Sequence, residues 1–258
     1  MLDELQRFTR LILVSAALVI LLGCIFFSLG ARTTHLGPVP FLVPTTEAPS
    51  IAVRFFQMVV GDLLPKQVSL LSRSPISGFF IQVDISLFLS FLLLFPFLLV
   101  RFVMYLLPAL QKKEQRTLLF VTIPSFVLFA TGVAFGYFVV TPLSLGALVK
   151  QVSTLGLPQI FFIDDFVTTV CILIGLSAFV FLIPVFLPLT TYLGLVSSQF
   201  WFDHWRLFIF LSLVVSAMLS SDGTGITMLL LAAPIGLCYF VGMGISRYIE
   251  KRSRSADL

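Results

Sequence analysis

The chain has 258 residues, of which 59% are hydrophobic and 11% charged, more apolar side chain than one water-soluble core of this size can hide. Its formal net charge of +4 comes from Lys and Arg placed between apolar runs and at the chain ends, so topology rather than nucleic acid accounts for it. Lipid is the solvent for most of the sequence, and the fold class expected is an all-α membrane protein.

A hydrocarbon core of about 30 Å needs about 20 helical residues. Six apolar runs meet or approach that length: 11–29, 79–101, 117–149, 166–195, 207–221 and 226–245. The first follows Arg7 and Arg10 and is longer than a signal-peptide core, with no convincing small-residue cleavage site after it; it reads as a membrane anchor. Residues 37–49, rich in Gly and Pro, read as loop. Beyond Ser50, the rows Ile51, Phe55, Val59, Leu63 and Ala52, Phe56, Val60, Leu64 both have helical spacing. With Arg54, Gln57, Gly61 and Asp62 between them, residues 50–64 predict an amphipathic helix along the outer surface rather than a seventh span.

Pro96, Pro124, Pro142, Pro184, Pro188 and Pro234 lie inside the apolar runs, where each removes a backbone donor and bends a helix. Bent helices enclose a concave surface. The fifth run has 13 uninterrupted residues from Leu207 to Leu219, only about 20 Å of helix. Runs five and six thus form a short hairpin through 220–225, whose expected consequence is local thinning or hydration of the bilayer. No internal repeat is evident.

With both termini in the cytoplasm, eleven Lys and Arg lie inside and five outside, which sets the orientation. Asp84, Asp164, Asp165 and Asp222 then fall toward outer ends of their runs, as interfacial caps. His35 and His204 are the two histidines, and His204 sits among interfacial aromatics in 201–206. Cys24, Cys171 and Cys238 occupy separate runs without Cys-x-x-Cys or Cys/His spacing; they read as small buried hydrophobes, with no metal or disulfide role. There is no Walker loop, Gly-x-Ser-x-Gly or His-Glu-x-x-His. The expectation is a protein that is not an enzyme and uses no cofactor.

Three stretches carry a family likeness. They are Ser74-Pro75 before the second span, Pro108-Ala109-Leu110 with Glu114 and Arg116 in the following loop, and Gly132-x-x-Phe135-Gly136-Tyr137-Phe138-Val139-Val140-Thr141-Pro142-Leu143 in the third. With Ile183-Pro184-Val185, Leu230-Leu231-Ala232-Ala233-Pro234 and the two short final spans, the chain resembles the TatC family, the multispanning core of the twin-arginine protein translocase. The resemblance runs through most of the sequence.

What it implies is a six-helix, concave TatC-like arrangement with the last two helices short, in a single membrane domain over 1–258. It also implies an inner-membrane receptor that binds twin-arginine signal peptides at its cytoplasmic face. Such a receptor assembles with TatA/TatB-type single-span partners, as a homo- or hetero-oligomer, and moves folded cargo on the protonmotive force. A guanidinium presents a planar fork that a carboxylate accepts in bidentate fashion, whereas lysine is a point charge. Glu114 is the first candidate acceptor, with Arg116 beside it. Glu4 matches the family's N-terminal glutamate, and as a helix N-terminal acid it also complements the macrodipole. Tyr137, Phe138, Pro142 and Asp222 are candidate partner-contact or cavity-lining residues.

The sequence departs from the family pattern in three places. Leu182 stands where an intramembrane glutamate is common, Ser220-Ser221-Asp222 replaces a Thr-Pro-Pro-Asp-like hairpin, and Gln6 stands where an arginine is common. The alternative reading is a secondary transporter of a small solute, which calls for inverted repeats and midplane binding residues on broken helices.

Overall fold

The computed structural model describes residues 2–28, 30–36, 39–45, 49–64, 68–106, 112–156, 158–219 and 225–256. For 2–8, 11, 30–36, 39–45, 102–106, 112–121, 218–219, 226–227, 230 and 252–256 only the backbone is described. Ten α-helices among these residues carry the architecture, and four of their stretches are long and apolar enough to cross a membrane: Ser77–Arg101, Thr122–Thr154, Ile163–Tyr192 and Leu231–Lys251. Two shorter apolar stretches, Ile12–Ser28 and Trp205–Ala217, complete the six runs read from the sequence. The chain divides into two compact units, Met1–Tyr105 with Gln159–Cys171, and Leu106–Pro158 with Ile172–Leu258.

In the first unit, α1 (Leu2–Ser28) is followed by an antiparallel pair, β1 (Gly30–Leu36) and β2 (Val39–Thr45), in register Gly30↔Thr45 to Leu36↔Val39. The expectation that 37–49 is loop is corrected here. Pro40 and Pro44 are compatible with a strand because both lie on an edge strand and, four residues apart, turn the same side of the backbone outward.

Helix α2 (Ile51–Leu63) falls within the amphipathic segment 50–64 and buries Ala52, Val59 and Leu63. Its cap, Ser50 Oγ, accepts from the Val53 N–H at 3.4 Å and from Gln82 Nε2 of α3 (Ser77–Leu106) at 2.6 Å. The same amide reaches the Phe27 carbonyl at 3.2 Å, so one side chain ties α1, α2 and α3 together. Gly23 lets α1 approach α3: a Cβ there would stand 3.0 Å from Leu87 Cδ2.

Strand β3 (Ser69–Leu71) pairs in parallel with β4 (Ile160–Phe162), which leads directly into α6 (Ile163–Val180). The two acids in the first turn of α6 complement its dipole. Asp165 pairs with Arg73 at 3.0 Å, and Asp164 accepts from Ser77 Oγ at 3.1 Å. The Arg73 guanidinium also lies 4.5 Å from the Phe162 ring centroid.

In the second unit, α4 (Lys112–Phe135) and α5 (Thr141–Thr154) are joined without a break by a π-helical turn, Gly136–Val140. Pro142 explains the turn. It offers no N–H, and its ring would press on the carbonyl four residues back; the wider turn relieves that. Gly132 and Gly136 face the neighbouring part of α6: a Cβ on Gly132 would meet Ala178 Cα at 2.8 Å, and one on Gly136 would meet Ile174 Cα at 2.9 Å. This is close small-residue packing of two membrane helices.

The fourth run, expected as 166–195, is two helices. α6 ends at Val180, Phe181 and Leu182 form a turn, and α7 runs Ile183–Tyr192. Pro184 cannot continue the ladder, and the Phe186 N–H bonds the Leu182 carbonyl at 2.9 Å to start the new helix. Gly242 of α10 (Ile226–Ala256) lies against this bend, its absent Cβ 3.1 Å from Pro184 Cα.

Helix α9 (Trp205–Leu219) is short, as read, at 15 residues. Helix α10 continues through 31 residues, well past the apolar run that ends at 245, because no Gly or Pro interrupts Ser246 to Ala256. The cysteines are free thiols; Cys238 is buried, Cys171 half-buried, and Cys24, contrary to its expected burial, is exposed on α1.

Candidate functional site

Helix α4 begins at Lys112, so Glu114 is its third residue and Arg116 its fifth. The Pro-Ala-Leu stretch before it lies outside the described residues. The first turn of α4 therefore carries one acid among Lys112, Lys113 and Arg116. The acid is the group the positive end of the helix favours, and the cations are disfavoured there. Glu4 occupies the first turn of α1 in the other unit. The side chains of Glu4, Glu114 and Arg116 are outside the described residues, and so is Asp222 altogether.

Tyr137 and Phe138 form the centre of the π turn, with ring centroids 5.0 Å apart and edge to face. Tyr137 is half-buried whereas Phe138 is 73% exposed. Pro142 is half-buried at the start of α5. Thr141 is fully buried; both its N–H and its hydroxyl bond the Gly136 carbonyl, the latter at 2.7 Å.

Around this turn the second unit gathers three irregularities. The ends of the π turn at Phe135 and Val140, Ser177 of α6 with Phe181 of the turn that follows it, and Leu231 and Pro234 of α10 line an apolar cavity of about 20 Å³. Leu182, in place of an intramembrane glutamate, is half-buried in the adjoining turn. Among the described residues, no group of three or more His, Cys, Asp or Glu is placed to hold a metal ion.

Sequence reasoning missed a second polar arrangement, around α8 (Ser198–Asp203). Glu250, deep in the charged extension of α10, accepts the Ser198 N–H at 2.7 Å, and Tyr239 donates to the Trp201 carbonyl at 2.6 Å. Leu187, Trp201, Tyr239 and Met243 pack as one buried cluster, with Phe208 stacked on Tyr239 at 4.5 Å. Arg247 and Arg206 lie over the Phe202 and Trp205 rings, at 5.1 and 5.6 Å. His204 Nδ1 is 2.9 Å from the Phe200 carbonyl, within the aromatic segment where an interfacial anchor was expected. Partners 52 and 38 residues apart leave no local spacing for a sequence to reveal.

Among the described residues, polar side chains cap and join helices. Comparison with known proteins points to one family. The model of the family described as Sec-independent protein translocase protein (TatC) matches residues 1–234. The Sec-independent protein translocase protein TatC of Synechocystis sp. is 29% identical over 251 residues, covering 97% of this chain and 87% of the relative. That of Cenarchaeum symbiosum is 28% identical over 207 residues, covering 80% and 78%. A tatC-like protein, ycf43, of Guillardia theta is 29% identical over 209 residues, covering 81% and 67%. Among solved structures, a twin arginine translocase receptor TatC superposes with a TM-score of 0.76 at 22% identity, covering 96% of this chain and 99% of that one.

Proposed function

This chain belongs to the Sec-independent protein translocase protein (TatC) family, and from that premise we propose that it is the subunit that reads twin-arginine signal peptides. It is a multispanning membrane protein and a component of a Sec-independent translocase. In the proposed reading it forms a single six-span domain of the inner membrane with both termini cytoplasmic, the orientation favoured by eleven inner against five outer Lys and Arg.

The first turns of α4 and α1 then lie at the cytoplasmic surface. Glu114 accepts the paired guanidinium groups, Glu4 approaches the same peptide, and Arg116 orients Glu114 by pairing with it. TatA/TatB-type single-span proteins join it, using Tyr137, Phe138, Pro142 and Asp222 as contact or cavity residues, and folded cargo crosses on the protonmotive force.

The observation that carries this reading is the family match over residues 1–234, which includes the Glu114 loop and the Gly132–Pro142 stretch. The break between α6 and α7, which a small-solute transporter would use to hold substrate, is accounted for by Pro184. The test is site-specific crosslinking of the detergent-solubilised protein to an Arg-Arg signal peptide and its Lys-Lys twin. Crosslinks around Glu114 that require Arg-Arg support the receptor; equal behaviour of the two peptides, or no binding by either, overturns it.

A further inference from the structure

One side of α3 carries Phe80, Asp84 and Leu87 at i, i+4 and i+7, positions that share a helix face. All three are exposed, Phe80 by 60% and Leu87 by 37%, with Leu87 at the edge where Gly23 of α1 approaches, while Ile81, Ile85, Ser86 and Ser90 around the opposite side are buried.

The other polar groups in this half of the helix are satisfied within the protein. Ser77 donates to Asp164, and Gln82 to the Phe27 carbonyl and Ser50 Oγ. Ser86 and Ser90 each donate to the carbonyl one turn back, at 2.6 Å. The Asp84 carboxylate has no hydrogen bond or ion pair among the described residues; its electrostatic neighbour there is the Cys171 thiol of α6, which offers no positive charge.

Its depth makes that costly. The apolar stretch Ser77–Arg101 has 25 residues, about 37 Å of helix against a hydrocarbon core of about 30 Å, so roughly 4 Å projects at each end when it is centred. Asp84 lies seven residues in, about 10 Å along the axis, and therefore about 6 Å below the hydrocarbon surface. An aspartate side chain is too short to carry its charge back to the headgroups as a lysine does. A carboxylate left against lipid at that depth is strongly disfavoured, and such groups face protein or water.

We propose that the Phe80–Asp84–Leu87 face of α3 docks a transmembrane helix of another chain that carries a lysine or arginine in the third of the bilayer nearest Ser77. Charge complementarity selects the occupant. The two apolar side chains, one turn to either side, close over the ion pair and keep water from it, which strengthens the attraction between the charges. The inference rests on the reading of this chain as a subunit that recruits single-span partners.

The test uses a synthetic probe, so that it stands apart from signal-peptide recognition. A labelled polyleucine single-span peptide with one lysine at the matching depth, and a twin with leucine there, are mixed with the full chain in liposomes and their association is read by energy transfer. The lysine peptide is expected to associate at least tenfold more tightly than its twin, and Asp84→Asn to abolish the difference. Equal association of the two peptides, or a difference that survives Asp84→Asn, overturns the proposal.

A second measurement places cysteine at the site, Asp84→Cys in a background with the native cysteines replaced by serine. Slow reaction with a membrane-impermeant thiol reagent supports a lipid-facing group; reaction as fast as that of an aqueous surface cysteine overturns the proposal, because water then covers the site. Arg-Arg crosslinking on the wild-type chain is read in parallel. Its failure would remove the receptor reading and leave the peptide result standing.

Discussion

The Thr141 hydroxyl donates to the Gly136 carbonyl at 2.7 Å, across the five residues of the π turn and in addition to the backbone bond between the same residues. The turn is thus held by a side chain as well as by the proline that calls for it. Thr141→Val keeps the shape and removes the donor; it should lower stability in detergent by about 1 kcal/mol, and Thr141→Ser should restore most of it. Thermal unfolding of the two variants checks this; equal loss in both would mean that the methyl group, not the hydroxyl, matters.

Gly132 has no room for a side chain. Gly132→Ala puts a carbon 2.8 Å from the backbone of Ala178 and from the Ser177 carbonyl, so α4 must move away from α6 at a cost of about 1–3 kcal/mol. Gly61→Ala on α2 meets nothing within 4 Å and should instead stabilise its helix by up to about 1 kcal/mol. The same unfolding measurement compares the pair, and similar behaviour of the two would refute the packing argument.

Tyr239→Phe removes the bond to the Trp201 carbonyl, 2.6 Å long and buried. The stacking of the ring on Phe208 survives, so the cost should be that of the stranded carbonyl, about 1–3 kcal/mol. Denaturation monitored by tryptophan fluorescence reads both the stability and the Trp201 environment.

The Arg73–Asp165 pair is 57% and 64% exposed. Asp165→Asn should therefore change stability by less than about 1 kcal/mol, and the difference should shrink as salt is raised from 0.05 to about 1 M, where the Debye length falls to roughly 3 Å. A larger effect, insensitive to salt, would show that the pair is shielded in the assembled membrane protein.

Glu114→Gln keeps the size of the side chain and removes the charge. If Glu114 accepts the signal peptide's guanidinium groups, affinity for the Arg-Arg peptide should fall about tenfold or more, with membrane insertion unchanged, and preference over Lys-Lys should narrow. Fluorescence anisotropy with labelled peptides measures both; unchanged affinity would remove Glu114 from the site.

The hydropathy of the sequence was enough to determine the class, the six apolar runs and the amphipathic helix after Ser50. Lipid demands about 20 apolar residues per crossing, and the rows at helical spacing mark the buried face. The third-span motif was legible as a string, but not as a π turn with Gly132 and Gly136 pressed on α6, because that meaning needs a second helix beside it. The break at Leu182 was only half visible: Pro184 signals a bend, whereas the division into α6 and α7 depends on how the freed backbone groups find partners.

Only the tertiary structure decided the pairing of β1 with β2, the Gln82 bonds that join three helices, the Glu250 contact to α8 and the outward face of Asp84. Each depends on groups distant in sequence or on which side of a helix the rest of the protein covers. A run that is apolar all round, as α3 nearly is, carries no periodic signal to say which side that will be.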